Sequence, residues 1–189
     1  GNVVHADQAC DWSAVLTALN ARFVIEGPGG SSRTAYPNEF FGTPLEPNLA
    51  ANEIVTTVEV PSFAANQRAE YAKVAHPASG YAVVGGAVVV TLDGDRCSSA
   101  SIAVGGLVPA PVKASSVERA LIGQTLNVDN IMAASSQVAN DLGSDVIGDF
   151  YASAEYRRAM AAVEIRHALF HITGEAHVGS RAESVLHGA

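Results

Sequence analysis

The chain has 189 residues, 48% of them hydrophobic and 16% charged, with a formal net charge of −8. That length suits one ordinary domain or two small ones, and the composition excludes a disordered chain. Two lysines and nine arginines against 19 acidic residues exclude the basic footprint that nucleic acid or an anionic membrane face requires.

Residues 12–23, WSAVLTALNARF, set Trp12, Val15, Leu16, Leu19 and Phe23 at helical spacing behind Asp11, a residue type that caps helix starts. RFVIEG then reads as a strand, GPGGSSR as a turn and YPNEFF, residues 36–41, as a short connecting helix. EIVTTVEV, residues 53–60, is a β-branched strand closed by Pro61. Residues 1–62 thus amount to helix, strand, turn and strand, too little for an independent α/β sheet. A polar joint near residues 62–68 marks the predicted domain boundary.

The second unit spans 68–172. AEYAKVAH, YAVVGGAVVVTLDG and RCSSASIAVGG read as three strands, the last two joined at DGDR, where Asp-Gly tolerates the positive φ of a tight turn. VPAPVKA follows as an extended connector, and helical patterns cover 115–122, 128–142 and 154–172. The last sets Tyr156, Met160, Val163, Leu169 and Phe170 among alanines behind Ser153, a candidate N-cap. Strands followed by helices predict an α+β fold. Residues 173–189 form a polar tail.

Cys10 and Cys97 belong to no CxxC pair, so the chain has no thiolate set for zinc or an iron–sulfur cluster, and buried reduced thiols are expected. YAVVGGAVVVTL falls short of the about 20 residues that span a bilayer. With no signal-peptide pattern, the expected compartment is the cytoplasm. His167 and His171 share a helix face with Glu164 nearby, but HExxH is absent, and histidines at a helix C-terminus have the plainer role of meeting its dipole. GxSxG, GxxxxGK(S/T) and a GxGxxG after a strand are all absent.

Two stretches are more suggestive. GNVVHADQACD can lay backbone N–H groups against a phosphate or ribityl chain, with Asp7 and Asp11 as acceptors, or it can be an ordinary turn. HPASGYAVVGGA places Tyr81 after small residues, as a flat partner for an aromatic ligand or as a core or edge tyrosine.

Taken together these segments resemble the FAD-binding medium subunit of the molybdenum hydroxylases, the xanthine dehydrogenase and carbon monoxide dehydrogenase group. The resemblance runs to about Leu169 through GNVVHADQACD, NEIVTTVEVP, YAKVAHPASGYAVVGGAVV, SIAVGGLVPAPVKA, ALIGQTL and SAEYRRAMAAVEIRHAL. It implies the second part of a PCMH-type FAD-binding domain over 1–62. A CO dehydrogenase flavoprotein C-terminal-like domain, a three-stranded antiparallel sheet with a helical bundle, is implied over 68–172. The family's first FAD grip, an Ala-Gly-Gly-x-Ser loop, has no match here, so the resemblance implies a fragment, inactive alone, whose exposed apolar surface would invite self-association.

The resemblance assigns Gly1 and Asn2 to a loop against the FAD phosphates and Asp11 to a FAD-binding position. It sets Val55 beside the flavin, where Leu or Ile is usual, and Lys73 near it. Tyr81 becomes the aromatic beside the isoalloxazine. Gly80 stands where the family carries Asp, and Gln8 replaces a proline. The implied activity is electron transfer. A large subunit with the molybdenum cofactor oxidises the substrate, a small subunit with 2Fe-2S clusters relays electrons, and FAD in the medium subunit passes them to an external acceptor. An assembly module without flavin is the alternative. A vanillyl-alcohol oxidase type flavoenzyme is a third reading, opposed by SAEYRR.

Overall fold

The computed structural model describes residues 1–174. The chain builds two antiparallel sheets, with helices on both faces of the larger one. The expected tail lies, from residue 175 on, outside the described residues.

The chain begins with a helical turn, α1 (Asn2–His5), where the sequence suggested a loop. Helix α2 (Asp11–Ala18) is capped by Cys10, and Asp11 is its first residue. It stops well short of Phe23. Asn20 takes a φ of 50°, the Ala21 amide donates to the Leu16 carbonyl and the Asn20 amide to that of Thr17, closing a Schellman turn. Phe23 therefore falls on strand β1 (Arg22–Glu26). The buried face of α2 is Ser13, Ala14, Leu16, Thr17 and Ala18, while Trp12 is 54% exposed.

After a 3-10 turn at Pro28–Gly30 comes β2 (Ser32–Ala35), a strand that the sequence reading took for part of a turn. Its polar SRTA sequence lacks alternation. It is held as an edge by pairing with β1 and by Arg33, which grips Glu53 and the Asn48 carbonyl. Helix α3 (Pro37–Phe40) and β3 (Ile54–Glu59) complete a sheet of order β2-β1-β3. Alternate residues Phe23 and Ile25 are fully buried with Leu16, Phe40 and Phe41. Phe23 meets Phe40 at 4.6 Å and Phe41 edge-on at 5.7 Å, arrangements favoured by the ring quadrupoles.

The second sheet runs β4 (Gln67–Ala75), β5 (Ala82–Asp93), β6 (Arg96–Gly105) and β7 (Val112–Lys113). The β5–β6 hairpin closes at Asp93 and Arg96, with Gly94 at positive φ. The sheet has four strands, not the three expected. The prolines at 109 and 111 read as a connector, but Val112 and Lys113 beyond them pair with β6 at the edge, where a neighbouring proline costs no ladder bond.

One face of this sheet receives α4 (Ser115–Leu121), α5 (Val128–Ser135) and α6 (Ala154–Thr173) over a large core. The pattern expected over 128–142 ends as α-helix at Ser135 and continues as a 3-10 turn over Ser136–Asn140. The other face receives α2. Ala14 and Ala18 pack on Ala87 and Ala103, and a Cβ added at Gly105 would lie 3.1 Å from that of Ala14. Helix α2 thus joins both sheets, with Leu16 in the small core and its alanines on the large sheet.

Ser153 caps α6, accepting from the Tyr156 amide; of the apolar pattern read along this helix, Leu169 and Phe170 are buried, but its first part is not the buried face. Tyr156 is exposed and Met160 and Val163 are half-buried, whereas Arg157, Ala161, Glu164, Ile165, Ala168 and Leu169 are buried. Arg157 is 6% exposed and fully engaged. Its Nη1 donates to the carbonyls of Val83 (2.7 Å) and Gly106 (2.9 Å), its Nη2 pairs with Asp149 (2.5 Å), and Nε reaches the Ala152 carbonyl. Asp149 also accepts from the amides of Ala152 and Tyr151, and these bonds with the guanidinium hold its carboxyl below the usual range.

Arg157→Met keeps much of the stem but strands two inward-facing carbonyls, at about 1–3 kcal/mol each. Urea unfolding should show a loss of about 2–4 kcal/mol, and a smaller one for Asp149→Asn, whose partner stays bonded to backbone. Equal stability of Arg157→Met and the unsubstituted protein would refute this account.

Candidate functional site

The start of α2 is stitched to the large sheet by backbone bonds. Asp7 Oδ1 accepts from the Ala9 amide at 2.8 Å, shaping a turn. The Gln8 carbonyl then accepts from Gly106 and that of Ala9 from Ala82, so the loop sits across the end of β6 and the start of β5. Asn2 folds back over this loop, its Oδ1 accepting from the Cys10 thiol. Burial pushes the Cys10 thiol up, so it stays a protonated donor.

Asp11 follows directly and is the hub. Its Oδ1 accepts from the Tyr71 hydroxyl at 2.8 Å, and its Oδ2 pairs with Lys73 Nζ at 2.6 Å. Tyr71 and Lys73 alternate along β4 and so share the face that looks toward α2. Lys73 Nζ also donates to the Gly80 carbonyl at 2.8 Å. Gly80, at a φ of 73°, closes a turn in which the Gly80 amide reaches His76 and the His76 amide reaches Tyr81. The next residue, Tyr81, is 42% exposed.

The structure therefore joins three of the sequence-predicted residues, Asp11, Lys73 and Tyr81, through one chain of polar contacts. Asn2 lies one bond away, on Cys10. Gly1 is exposed at the start of α1, with its carbonyl taken by the His5 amide and open space where a side chain would be. Val55 lies elsewhere, half-buried in the small-sheet cluster with Val3 and Val4. His167 sits 3.4 Å from Glu164, and among the described residues no group of three or more His, Cys, Asp or Glu could hold a metal. Nor, among these residues, is any helix long and apolar enough to cross a membrane.

Sequence reasoning missed Tyr71. Its signal was the period of two from Lys73, which puts both side chains on one face of a strand. Burial first, then the bond to Asp11, raises the Tyr71 phenol above the ordinary tyrosine range, so the hydroxyl remains a donor.

The donor set suits a dinucleotide bearing a flat ring: an amide at Asn2, an ammonium at Lys73 and an open aromatic ring at Tyr81. The two Asp11 oxygens are engaged, yet a carboxylate accepts about four bonds and this one is 41% exposed, so it can take a further hydroxyl.

The raised phenol links to stability with a definite sign. A free tyrosine titrates near pH 10, so the contribution of Tyr71 is complete below about pH 10 and declines as pH rises beyond it. Ultraviolet titration of the folded protein should show a tyrosine that resists ionisation, and Tyr71→Phe should delete that resistant group. A curve unchanged by the substitution would count against this.

Two family models match the chain: "FAD binding domain in molybdopterin dehydrogenase" over residues 1–63 and "CO dehydrogenase flavoprotein C-terminal domain" over 69–172. The chain is 32% identical over 163 residues to the glyceraldehyde dehydrogenase medium chain of Sulfolobus acidocaldarius, covering 86% of this chain and 57% of that one. It is 34% identical over 166 residues to the nicotine 6-hydroxylase medium subunit of Paenarthrobacter nicotinovorans, covering 88% and 57%. Among solved structures, carbon monoxide dehydrogenase from Hydrogenophaga pseudoflava superposes with a TM-score of 0.84 at 29% identity, covering 94% of this chain and 61% of that one. The chain thus spans somewhat over half the length of the relatives it matches.

Proposed function

Because the chain belongs to the family of FAD-binding flavoproteins of the molybdenum hydroxylases, we propose that it serves in the FAD-carrying electron-transfer subunit of such an oxidoreductase, with the flavin at Asp11, Lys73 and Tyr81. The observation that carries the placement is the run of contacts from Asp11 through Lys73 to Gly80, beside Tyr81. Bound FAD would supply the redox chemistry, and the protein would bind, orient and shield it.

Gly1 and Asn2 would face the phosphates, and Asp11 would accept from ribityl hydroxyls. Lys73 has three protons and spends two, on Asp11 and Gly80, leaving one donor and a positive charge for the ring's polar edge. That charge lowers the energy of added electron density near it. Tyr81 would lie against the ring, a contact of on the order of 1 kcal/mol beyond area burial. Val55 would contribute apolar surface, a role that its seat in the small-sheet cluster does not itself support.

The same reading names an iron–sulfur small subunit and a molybdenum-cofactor large subunit as partners, since the relatives include several medium chains. Electrons would enter from the small subunit and leave to an external acceptor. Two free, buried cysteines suit the reducing cytoplasm.

FAD titration followed by flavin fluorescence tests the placement. Asp11→Ala and Lys73→Met should each weaken binding by about tenfold, the cost of one charge-assisted bond. Tyr81→Ala should weaken it by about fivefold at an unchanged melting temperature. Binding indifferent to all three substitutions overturns the placement, and no binding by the unsubstituted protein favours an assembly role.

A further inference from the structure

The contacts around Asp11 do more than surround a ligand. Asp11 is a short side chain in the first turn of a helix and is 41% exposed, which by itself leaves its carboxylate free to turn. Tyr71 removes that freedom. Its hydroxyl takes Oδ1, which leaves Oδ2 facing Lys73 Nζ. The ammonium, anchored there, reaches the Gly80 carbonyl and so holds the turn whose next residue is Tyr81.

The Tyr71 ring needs a special seat to do this. It leans along the sheet over Gly85, the residue paired with Lys73 on β5. A Cβ at Gly85 would fall 2.9 Å from Tyr71 Cζ and 3.0 Å from Cε2, and closer still to the hydroxyl. No side chain fits between ring and strand. Gly85 has no positive φ to account for it, so the absence of a side chain there serves this approach.

We propose that Tyr71 is a positioning residue for the flavin site. Seated in the notch at Gly85, it orients Asp11 so that Lys73 clamps the 76–81 turn and sets the Tyr81 ring. Tyr71 itself touches no ligand. The clamp is a property of the protein alone, and its effect on flavin rests on the function proposed above.

The test therefore has two readouts on the full chain: amide hydrogen exchange over residues 76–81 without FAD, and the FAD dissociation constant. Tyr71→Phe keeps the ring in its notch and removes only the hydroxyl. It should speed exchange across the turn and raise the dissociation constant roughly fivefold, the low end of couplings between sites, at nearly unchanged melting temperature. Gly85→Ala keeps the hydroxyl but displaces the ring and should do the same. Lys73→Met should also speed exchange, and adding Tyr71→Phe to it should change exchange no further, because both act on one chain of contacts. Exchange over 76–81 that is unaltered by Tyr71→Phe, or additive effects of the two substitutions, overturns the proposal. Faster exchange in a protein without FAD affinity supports the clamp and overturns the flavin reading instead. If Gly85→Ala does not fold, Tyr71→Phe and the double substitution still decide the matter.

Discussion

The centre of the contact between α2 and the large sheet is made of methyl groups. Ala14 and Ala18 rest on Ala87, Ala103 and the bare backbone of Gly105. Close-packed contacts of this kind tolerate little volume change, because neither backbone has room to retreat. The position of the helix over the sheet is thereby set, and with it the height of Asp11 above β4. A bulkier residue at 14 or 105 would lift the helix start, and bonds of 2.6 and 2.8 Å to Lys73 and Tyr71 would be the first to lengthen. The other side of α2 carries Leu16 into the small core, so both sheets are referred to one short helix.

Arg157 acts on the same region from the opposite layer. It bonds the carbonyls of Val83 and Gly106, while the amides of Gly106 and of Ala82, next to Val83, hold the loop of Gln8 and Ala9. A guanidinium delivers several donors in a fixed fork, which a lysine could not match at this place. The helical layer and the loop leading to Asp11 therefore grip the same two strand ends. The SAEYRR stretch that carried the family resemblance includes this buried arginine, which gives the motif a physical meaning.

Much of this architecture was legible in the sequence where local chemistry and period agree. Strand β3 showed a β-branched run and β5 a valine-rich one, the hairpin showed Asp-Gly, and Ser153 announced α6. Elements held from outside were not legible. Strand β2 is polar and exists through its pairing and Arg33, and β7 follows prolines that normally end a strand. Helix α2 ends early because Asn20 takes a left-handed conformation, which an apolar period running on to Phe23 conceals. Nothing in the sequence marked Arg157 and Glu164 as buried, since sequence does not say which charges find buried partners. In the site, Asp11 and Lys73 were marked separately by resemblance, but their pairing joins residues 62 positions apart and only the fold reveals it. Val55 was marked likewise, and the fold puts it in the other cluster.

Gly85 and Gly86 are neighbours on β5, and successive residues of a strand face opposite ways. Gly85 receives Tyr71 on the side of α2, while Gly86 receives α6, whose Ile165 nitrogen would stand 3.0 Å from an added Cβ. Here the protein narrows to a waist one peptide thick, with the buried Glu164 on one side and the Tyr71 phenol on the other. Burial in this narrow place is the largest influence raising the Tyr71 phenol, ahead of its bond to Asp11. Elsewhere along β5 side chains hold the layers apart from the strand, but at these two glycines both layers rest directly on it. A side chain added at Gly86 would press on the α6 backbone and displace the strand that also carries Gly85, so crowding in the helical layer would reach the seat of Tyr71 on the far face.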